Sequence, residues 1–229
     1  MIQQNLDLVR EYYTAQRGIG DTTETIYSIW EKGGRFNDSI TPSTYIPEYR
    51  SHIVLKLLSL TGPGAGIFSL GCGNGAVEGE LANLDRKVRA IDVNEEAVEL
   101  TRQKGVDAFA ADYFSLSPGD LVGANAIYAD GLLGHLFDPD EGIVPALTKL
   151  ASLTPESGTF VLFSNDAPMD GEVPYAPHER VAGFWFVSRT YLDEKLLSVG
   201  FLPVESYYFP YLRPVSGLRN RTVCIARVP

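Results

Sequence analysis

Three glycines in five positions, Gly71, Gly73 and Gly75, constrain the chain more than any other feature. They follow a short run, Ile67–Leu70, that reads as a buried strand, and they precede a helical pattern from Ala76 to Leu84. Glycine has no Cβ, so the backbone here can turn sharply and lie against a ligand. The loop N–H groups and the helix start favour polar or anionic ligand groups. A second apolar run, Val88–Val93, carries Asp92 near its end. In a βαβ unit this spacing brings the carboxylate to the same sheet edge as the glycine turn, where it can accept both hydroxyl hydrogens of a ribose. The pair points to a bound nucleoside or nucleotide. Gly71, Gly73 and Ala76 also satisfy the dinucleotide pattern with alanine in its last place, so a nicotinamide cofactor stays open.

The six residues Leu70-Gly71-Cys72-Gly73-Asn74-Gly75 resemble the first motif of the class I S-adenosylmethionine-dependent methyltransferases, and a looser resemblance runs from about Arg50 to the C-terminus. The resemblance implies a Rossmann-like α/β fold: a mostly parallel seven-stranded sheet, helices on both faces and a C-terminal antiparallel hairpin. It implies S-adenosylmethionine as cofactor and S-adenosylhomocysteine as product. The loop Gly71, Cys72, Gly73, Asn74 and Gly75 would lie beside the methionyl part, and Asp92 with Val93 at the ribose. Asp112 would accept from the adenine amino group, Tyr113 or Phe114 would contact the ring face, and Ala129 would border the cofactor from the fourth strand. One departure stands out. The family places an acid two positions before the first glycine, and this chain has Ser69 there. The cofactor's ammonium group then needs another acceptor.

Acids outnumber bases, with a net charge of -10, and no lysine or arginine run interrupts that excess. Such a chain is poorly suited to non-specific nucleic-acid binding; the sparse Arg213, Arg219 and Arg221 are the nearest approach to a basic patch. Two cysteines, Cys72 and Cys224, make no disulfide framework or zinc site. No apolar stretch approaches the ~18 residues of a membrane span, and the first residues lack the basic start and apolar core of a signal peptide. A cytoplasmic, metal-free enzyme acting on a small molecule is expected, without contact to membrane or nucleic acid; oligomeric state is not readable.

A single domain over residues 1–229 is expected, since the apolar content of 45% supports one sizeable core. Residues 1–49 read as a lid: a helix from Asn5 to Gln16 ended by Gly18 and Gly20, a second from Thr23 to Trp30, then mostly loop from Phe36 to Pro47. Its rings, Tyr12 and Tyr13 among them, pack on the main domain or cover the cofactor. By resemblance Tyr12 contacts the cofactor's carboxylate and Tyr13 lines the transfer chamber. Residues 50–229 form the core, starting with a helix from Arg50 to Leu60. Asn94 should cap the helix after Asp92, and Val106–Ala110 is a third strand. Asp138-Pro139-Asp140-Glu141 reads as a capped helix start. The fifth strand, Thr159–Phe163, leads into Ser164-Asn165-Asp166, and residues 167–187 read as an insertion on the substrate side. Ser188 caps a further helix. Phe201–Tyr208 and Thr222–Val228 are late strands joined by a long loop from Pro210 to Arg221.

Asp130 comes directly off the fourth strand, Ala126–Ala129, and His135 follows in the loop that the resemblance turns toward substrate. A near-neutral imidazole suits proton removal, so His135, Asp130 and Tyr13 are the catalytic candidates. Asn165, Asp166, His178 and Trp185 are the candidates for holding the acceptor. The mixture of rings and acids favours a cationic or polyhydroxylated amine from specialised metabolism, such as antibiotic biosynthesis, hence N-methylation over O-methylation. A nicotinamide-dependent oxidoreductase explains the glycines and Asp92 but lacks a second domain for substrate. A non-enzymatic nucleoside-binding module is the third reading.

Overall fold

The computed structural model describes residues 6–19, 21–36, 38, 40–153 and 156–229. Asn5 and Gly20, each part of an expected boundary, lie outside the described residues. The leading segment contains helix α1 (Leu6–Thr14), a hairpin of β1 (Arg17–Ile19) and β2 (Thr22–Glu24), helix α2 (Ile26–Glu31) and a helical turn α3 (Pro42–Tyr45). Two of these differ from expectation. Gly18 lies within β1 rather than merely ending a helix, and the Phe36–Pro47 stretch is not all loop. The second helix begins later than expected because Thr25 caps it, its hydroxyl accepting from Ser28 N–H at 3.0 Å.

The core alternates helix and strand: α4 (Pro47–Leu60), β3 (Gly66–Leu70), α5 (Ala76–Asn83), β4 (Lys87–Asp92), α6 (Glu95–Arg102), β5 (Asp107–Ala110), β6 (Ala124–Asp130), α7 (Leu132–His135), α8 (Val144–Leu153) and β7 (Phe160–Asp166). Then follow a small hairpin of β8 (Tyr175–Pro177) and β9 (Trp185–Val187), helix α9 (Arg189–Ser198), and the long strands β10 (Leu202–Arg213) and β11 (Gly217–Arg227). The main sheet has the order β10-β11-β7-β6-β3-β4-β5. Strands β3 to β7 are parallel, while β11 runs antiparallel to both β7 and β10. This is the mostly parallel seven-stranded sheet with a late antiparallel hairpin that the sequence predicts.

Side chains alternate across the strands and so feed two cores. Ile127, Ala129, Val161, Phe163, Cys224 and Ala226 pack on the face covered by α8 and α9. Ala126, Tyr128, Leu162, Val223 and Ile225 pack on the face of α4 and α5. Burial on both faces is why these strands read as continuous apolar runs. From β3 the chain winds outward to β4 and β5, then returns to lay β6 on the other side of β3. The strand order therefore reverses between β3 and β6, and the crevice at their C-terminal ends is the place where such sheets bind ligands.

Two expected boundaries fail for physical reasons. The motif from Asp138 caps a turn, not a helix: Asp138 Oδ1 accepts from the N–H groups of Asp140 and Glu141, and Asp138 and Gly142 exchange two backbone bonds of 2.8 Å. Helix α8 starts only at Val144. The expected loop from Pro210 to Arg221 is instead strand on both sides of a turn at residues 214–216. Pro210 is tolerated because β10 is an edge strand with one paired side. The segment 167–187 is likewise partly ordered by β8 and β9.

The glycine turn has the left-handed backbone that its composition anticipates, with φ of 71°, 55° and 70° at Gly71, Gly73 and Gly75. At Gly75 a Cβ would also lie 2.6 Å from the Thr101 hydroxyl on α6. Gly75→Ala combines an unfavourable dihedral with an overfilled contact, so urea unfolding should show a loss of about 2–4 kcal/mol.

Candidate active site

One deep cavity opens at the reversal of strand order. Its wall takes Gly71, Cys72, Gly73 and Asn74 from the turn, Asp92, Val93 and Asn94 after β4, and Tyr113 beyond β5. Tyr128 and Asp130 come from β6, and His135 from α7. The leading segment closes it with Tyr12, Tyr13, Tyr27, Trp30 and Asp38, and the C-terminal half adds Asp166, His178, Phe184, Arg213 and Arg221.

At the nucleoside end, Asp92 is 7% exposed. Its Oδ2 accepts from Gly73 N–H and its Oδ1 from Asn94 N–H, both at 2.9 Å. Burial pushes its carboxyl above the ordinary range, opposed by these backbone bonds. Lining the cavity, this carboxylate can accept from a ligand's hydroxyls. Asn94 does not cap α6 with its side chain; the amide donates to the Tyr27 hydroxyl at 3.0 Å and ties the leading segment to this end. Asn74 is a second tie, accepting from Thr44 at 2.7 Å and donating to Glu31 at 2.9 Å.

Several expected contacts are spent elsewhere. Gly75 is packed on Thr101 and lies behind the cavity wall. Asp112 caps the turn at Tyr113–Ser115 by accepting from Phe114 N–H, and borders a neighbouring shallow depression instead. Phe114 and Ala129 pack into the core. Asn165 accepts from Gly134 N–H and donates to the Trp185 carbonyl at 2.9 Å, which makes it a brace for α7 and β9. Trp185 stacks on Phe137 with centroids 4.4 Å apart, and its neighbour Phe184 lines the cavity. His178 does line it, but its Nδ1 accepts from the N–H groups of Arg180 and Val181.

Tyr13 and His135 meet in the cavity, with the hydroxyl 2.9 Å from Nε2. Burial, aided by His178, lowers the imidazole to about 4. The ring is therefore neutral at pH 7 and shares a hydrogen bond with Tyr13; it is not the near-neutral base that the sequence predicts. Burial likewise holds Tyr13 in its phenol form. Tyr13 stacks on Tyr27 at 5.2 Å and meets Trp30 edge-on, giving an aromatic wall.

The acceptor end is a lattice of buried charge. Arg221 pairs with Asp130 and, at 3.0 Å, with Asp166; Arg213 pairs with Asp166. Tyr211 donates to Asp166, and Ser164 to Asp130. Burial pushes the Asp166 carboxyl up, yet the two guanidiniums and Tyr211 outweigh it and bring it down to about 2. Asp38 bonds the backbone of Val215 and Ser216 and lies 3.9 Å from Arg213. Among the described residues, Asp130 Oδ2 and Arg221 Nε are buried without a partner.

Sequence reasoning missed Glu78, Asp38, Arg213 and Arg221. Glu78 sits in the first turn of α5, is 3% exposed and lines the cavity. Ser69 donates to its Oε1 at 2.5 Å. The only available signal was the absent acid at Ser69 itself.

No family model matches the chain. A tabtoxin biosynthesis enzyme of Pseudomonas amygdali pv. tabaci is 60% identical over 226 residues, spanning 99% of this chain and 90% of that one. Among solved structures, magnesium protoporphyrin IX methyltransferase of Synechocystis PCC 6803, with S-adenosylhomocysteine bound, has a TM-score of 0.69 at 18% identity, covering 98% of this chain and all of the other. The 1,6-didemethyltoxoflavin-N1-methyltransferase of Burkholderia thailandensis has a TM-score of 0.59 at 24% identity, covering 78% of this chain and 76% of its own. The chain thus belongs to the same family as the tabtoxin biosynthesis enzyme, and its fold is that of the class I S-adenosylmethionine-dependent methyltransferases.

Proposed function

We propose that this protein transfers a methyl group from S-adenosylmethionine to a small organic acceptor, with an amine as the favoured nucleophile, in the biosynthesis of a specialised metabolite. The observation that carries the reading is Asp92, a buried carboxylate that lines the cavity and is bonded to the backbone of the glycine turn. The relative's role in tabtoxin biosynthesis supports the metabolite class.

A bound sulfonium supplies an activated methyl group, so the protein's task is alignment and exclusion of water. The lid rings Tyr12, Tyr13, Tyr27 and Trp30 cover the cavity from one side and Phe184 from another. An amine with a free lone pair needs no strong base, which fits an imidazole held near 4. The spare oxygen of Asp130 is placed to accept from the amine and orient it. In this reading His135 positions Tyr13 rather than taking the proton.

Turnover of labelled S-adenosylmethionine across amines, phenols and amino sugars tests the proposal, and transfer to none of them would defeat it. His135→Ala should lower kcat by roughly tenfold, with the pH profile unshifted. A loss of a hundredfold or more, with one limb of the profile gone, is the mark of a general base instead.

A further inference from the structure

The family motif's strand acid is missing at Ser69, and a different carboxylate stands in the same place. Glu78 reaches back from α5 to the Ser69 hydroxyl, so the serine holds the acid that it replaces. Glu78 lines the cavity beside the glycine turn and is nearly fully buried. The charged neighbours acting on it are Asp130 and Asp92, both negative, and no Lys or Arg side chain lies within ion-pair reach among the described residues. Asp92 is committed to the turn and Asp130 to Arg221. Glu78 therefore has neither a cation, as Asp130 has, nor a bond to the glycine turn, as Asp92 has. A second group lies in the same cavity: Tyr128 is 2% exposed, and its hydroxyl has no hydrogen-bond partner among the described residues. Tyr128 pairs in register with Ser69 across β6 and β3, so both side chains belong to one patch of sheet.

A buried carboxylate lacking a counter-ion is costly and favours a ligand that brings one. We propose that Glu78, held by Ser69, is the docking carboxylate for the α-ammonium group of the methyl donor, with the Tyr128 hydroxyl as a second polar contact for the donor's amino-acid end. The inference rests on the donor reading above. It assigns to a helix the role that the family motif gives to the strand, and it accounts for Ser69 and Glu78 together.

The site carries its own pH signature. Burial, with Asp130 and Asp92 nearby, raises the Glu78 carboxyl to about 7. The groups facing it are Ser69 from β3, Cys72 from the turn, Asp92 at the end of β4, and Tyr128 and Asp130 from β6. Cys72 and Tyr128 are pushed upward by burial and stay neutral. Glu78 thus gains its charge between pH 6 and pH 8, while an α-ammonium group stays protonated.

Calorimetry with S-adenosylhomocysteine and with methylthioadenosine, which lacks the amino-acid end, separates the possibilities. Wild-type affinity for S-adenosylhomocysteine should rise roughly tenfold from pH 6 to pH 8, and that for methylthioadenosine should stay level. At pH 8, Glu78→Gln should weaken S-adenosylhomocysteine at least tenfold, abolish its pH dependence and leave methylthioadenosine unchanged, which also certifies the fold. Ser69→Asp combined with Glu78→Ser, which returns the acid to the strand, should restore affinity. Equal weakening of both ligands, or none, in Glu78→Gln overturns the assignment while the donor reading stands. Failure of wild-type protein to bind either ligand overturns both.

Discussion

Asp92→Ala will weaken binding of S-adenosylhomocysteine at least a hundredfold. Two ribose hydroxyls bonded to a buried carboxylate are each worth about 1.5–3 kcal/mol, and a factor of a hundred corresponds to ~2.7 kcal/mol. The substitution also releases Gly73 N–H and Asn94 N–H, which Asp92 holds at 2.9 Å. The glycine turn thereby loses the anchor that fixes its approach to the ligand. Asp92→Asn separates the two losses, because an amide oxygen still accepts from Gly73 but carries no charge. The ordering expected in calorimetry is wild type, then Asn, then Ala. A loss below fivefold in the alanine variant would remove Asp92 from the ribose and with it the main support for a nucleoside-bearing donor.

Arg221→Ala should cost about 3–5 kcal/mol of stability at neutral pH, because it leaves two buried carboxylates, Asp130 and Asp166, short of their counter-charge. The pH dependence follows from Asp166. Its folded value, about 2, lies below the ordinary 3.8. The pairing therefore stabilises the wild type above pH ~4, and that contribution disappears as pH falls through 2. In the variant the carboxylates are more easily protonated, so the gap between the two proteins should narrow as pH drops from 7 toward 3. Urea unfolding at several pH values measures it. Arg221→Met together with Asp130→Asn and Asp166→Asn should lose less than Arg221→Ala alone, since no unpaired charge is left behind. A gap that does not change with pH would show that packing, not charge, dominates at Arg221.

The parts legible in the sequence are those encoded locally. Glycine-for-turn, apolar runs for strands buried on both faces, and the interval from Gly71 to Asp92 fix β3, β4 and the crevice between them. The crossing back to β6 was legible only through the resemblance to the methyltransferase family, which implies the sheet as a whole. What escaped notice depends on residues far apart in the chain. Arg221 read as one of three scattered bases, yet it meets Asp130 and Asp166 across two strands. Glu78 stands in the first turn of a helix, where the dipole welcomes any acid; only packing shows it leaning on Ser69. Pro210 masked the length of β10, because a proline signals a break unless the strand is known to lie at an edge. Asp138 offered a good cap, but local side-chain bonds serve a tight turn as readily as a helix. His135 was placed correctly in the cavity, while its basicity depends on enclosure that no local pattern records.

The late hairpin has a consequence for how the protein comes off the ribosome. Residues 213–216 hold Asp38, and Asp166 and Asp130 take their counter-charges from Arg213 and Arg221. A nascent chain that has emerged only as far as α9 already contains every parallel strand, but its acids at β6 and β7 are unneutralised and Asp38 of its opening segment lacks the late turn that holds it. Vectorial synthesis can thus raise the parallel sheet early, while the chamber itself is completed only once β10 and β11 have emerged.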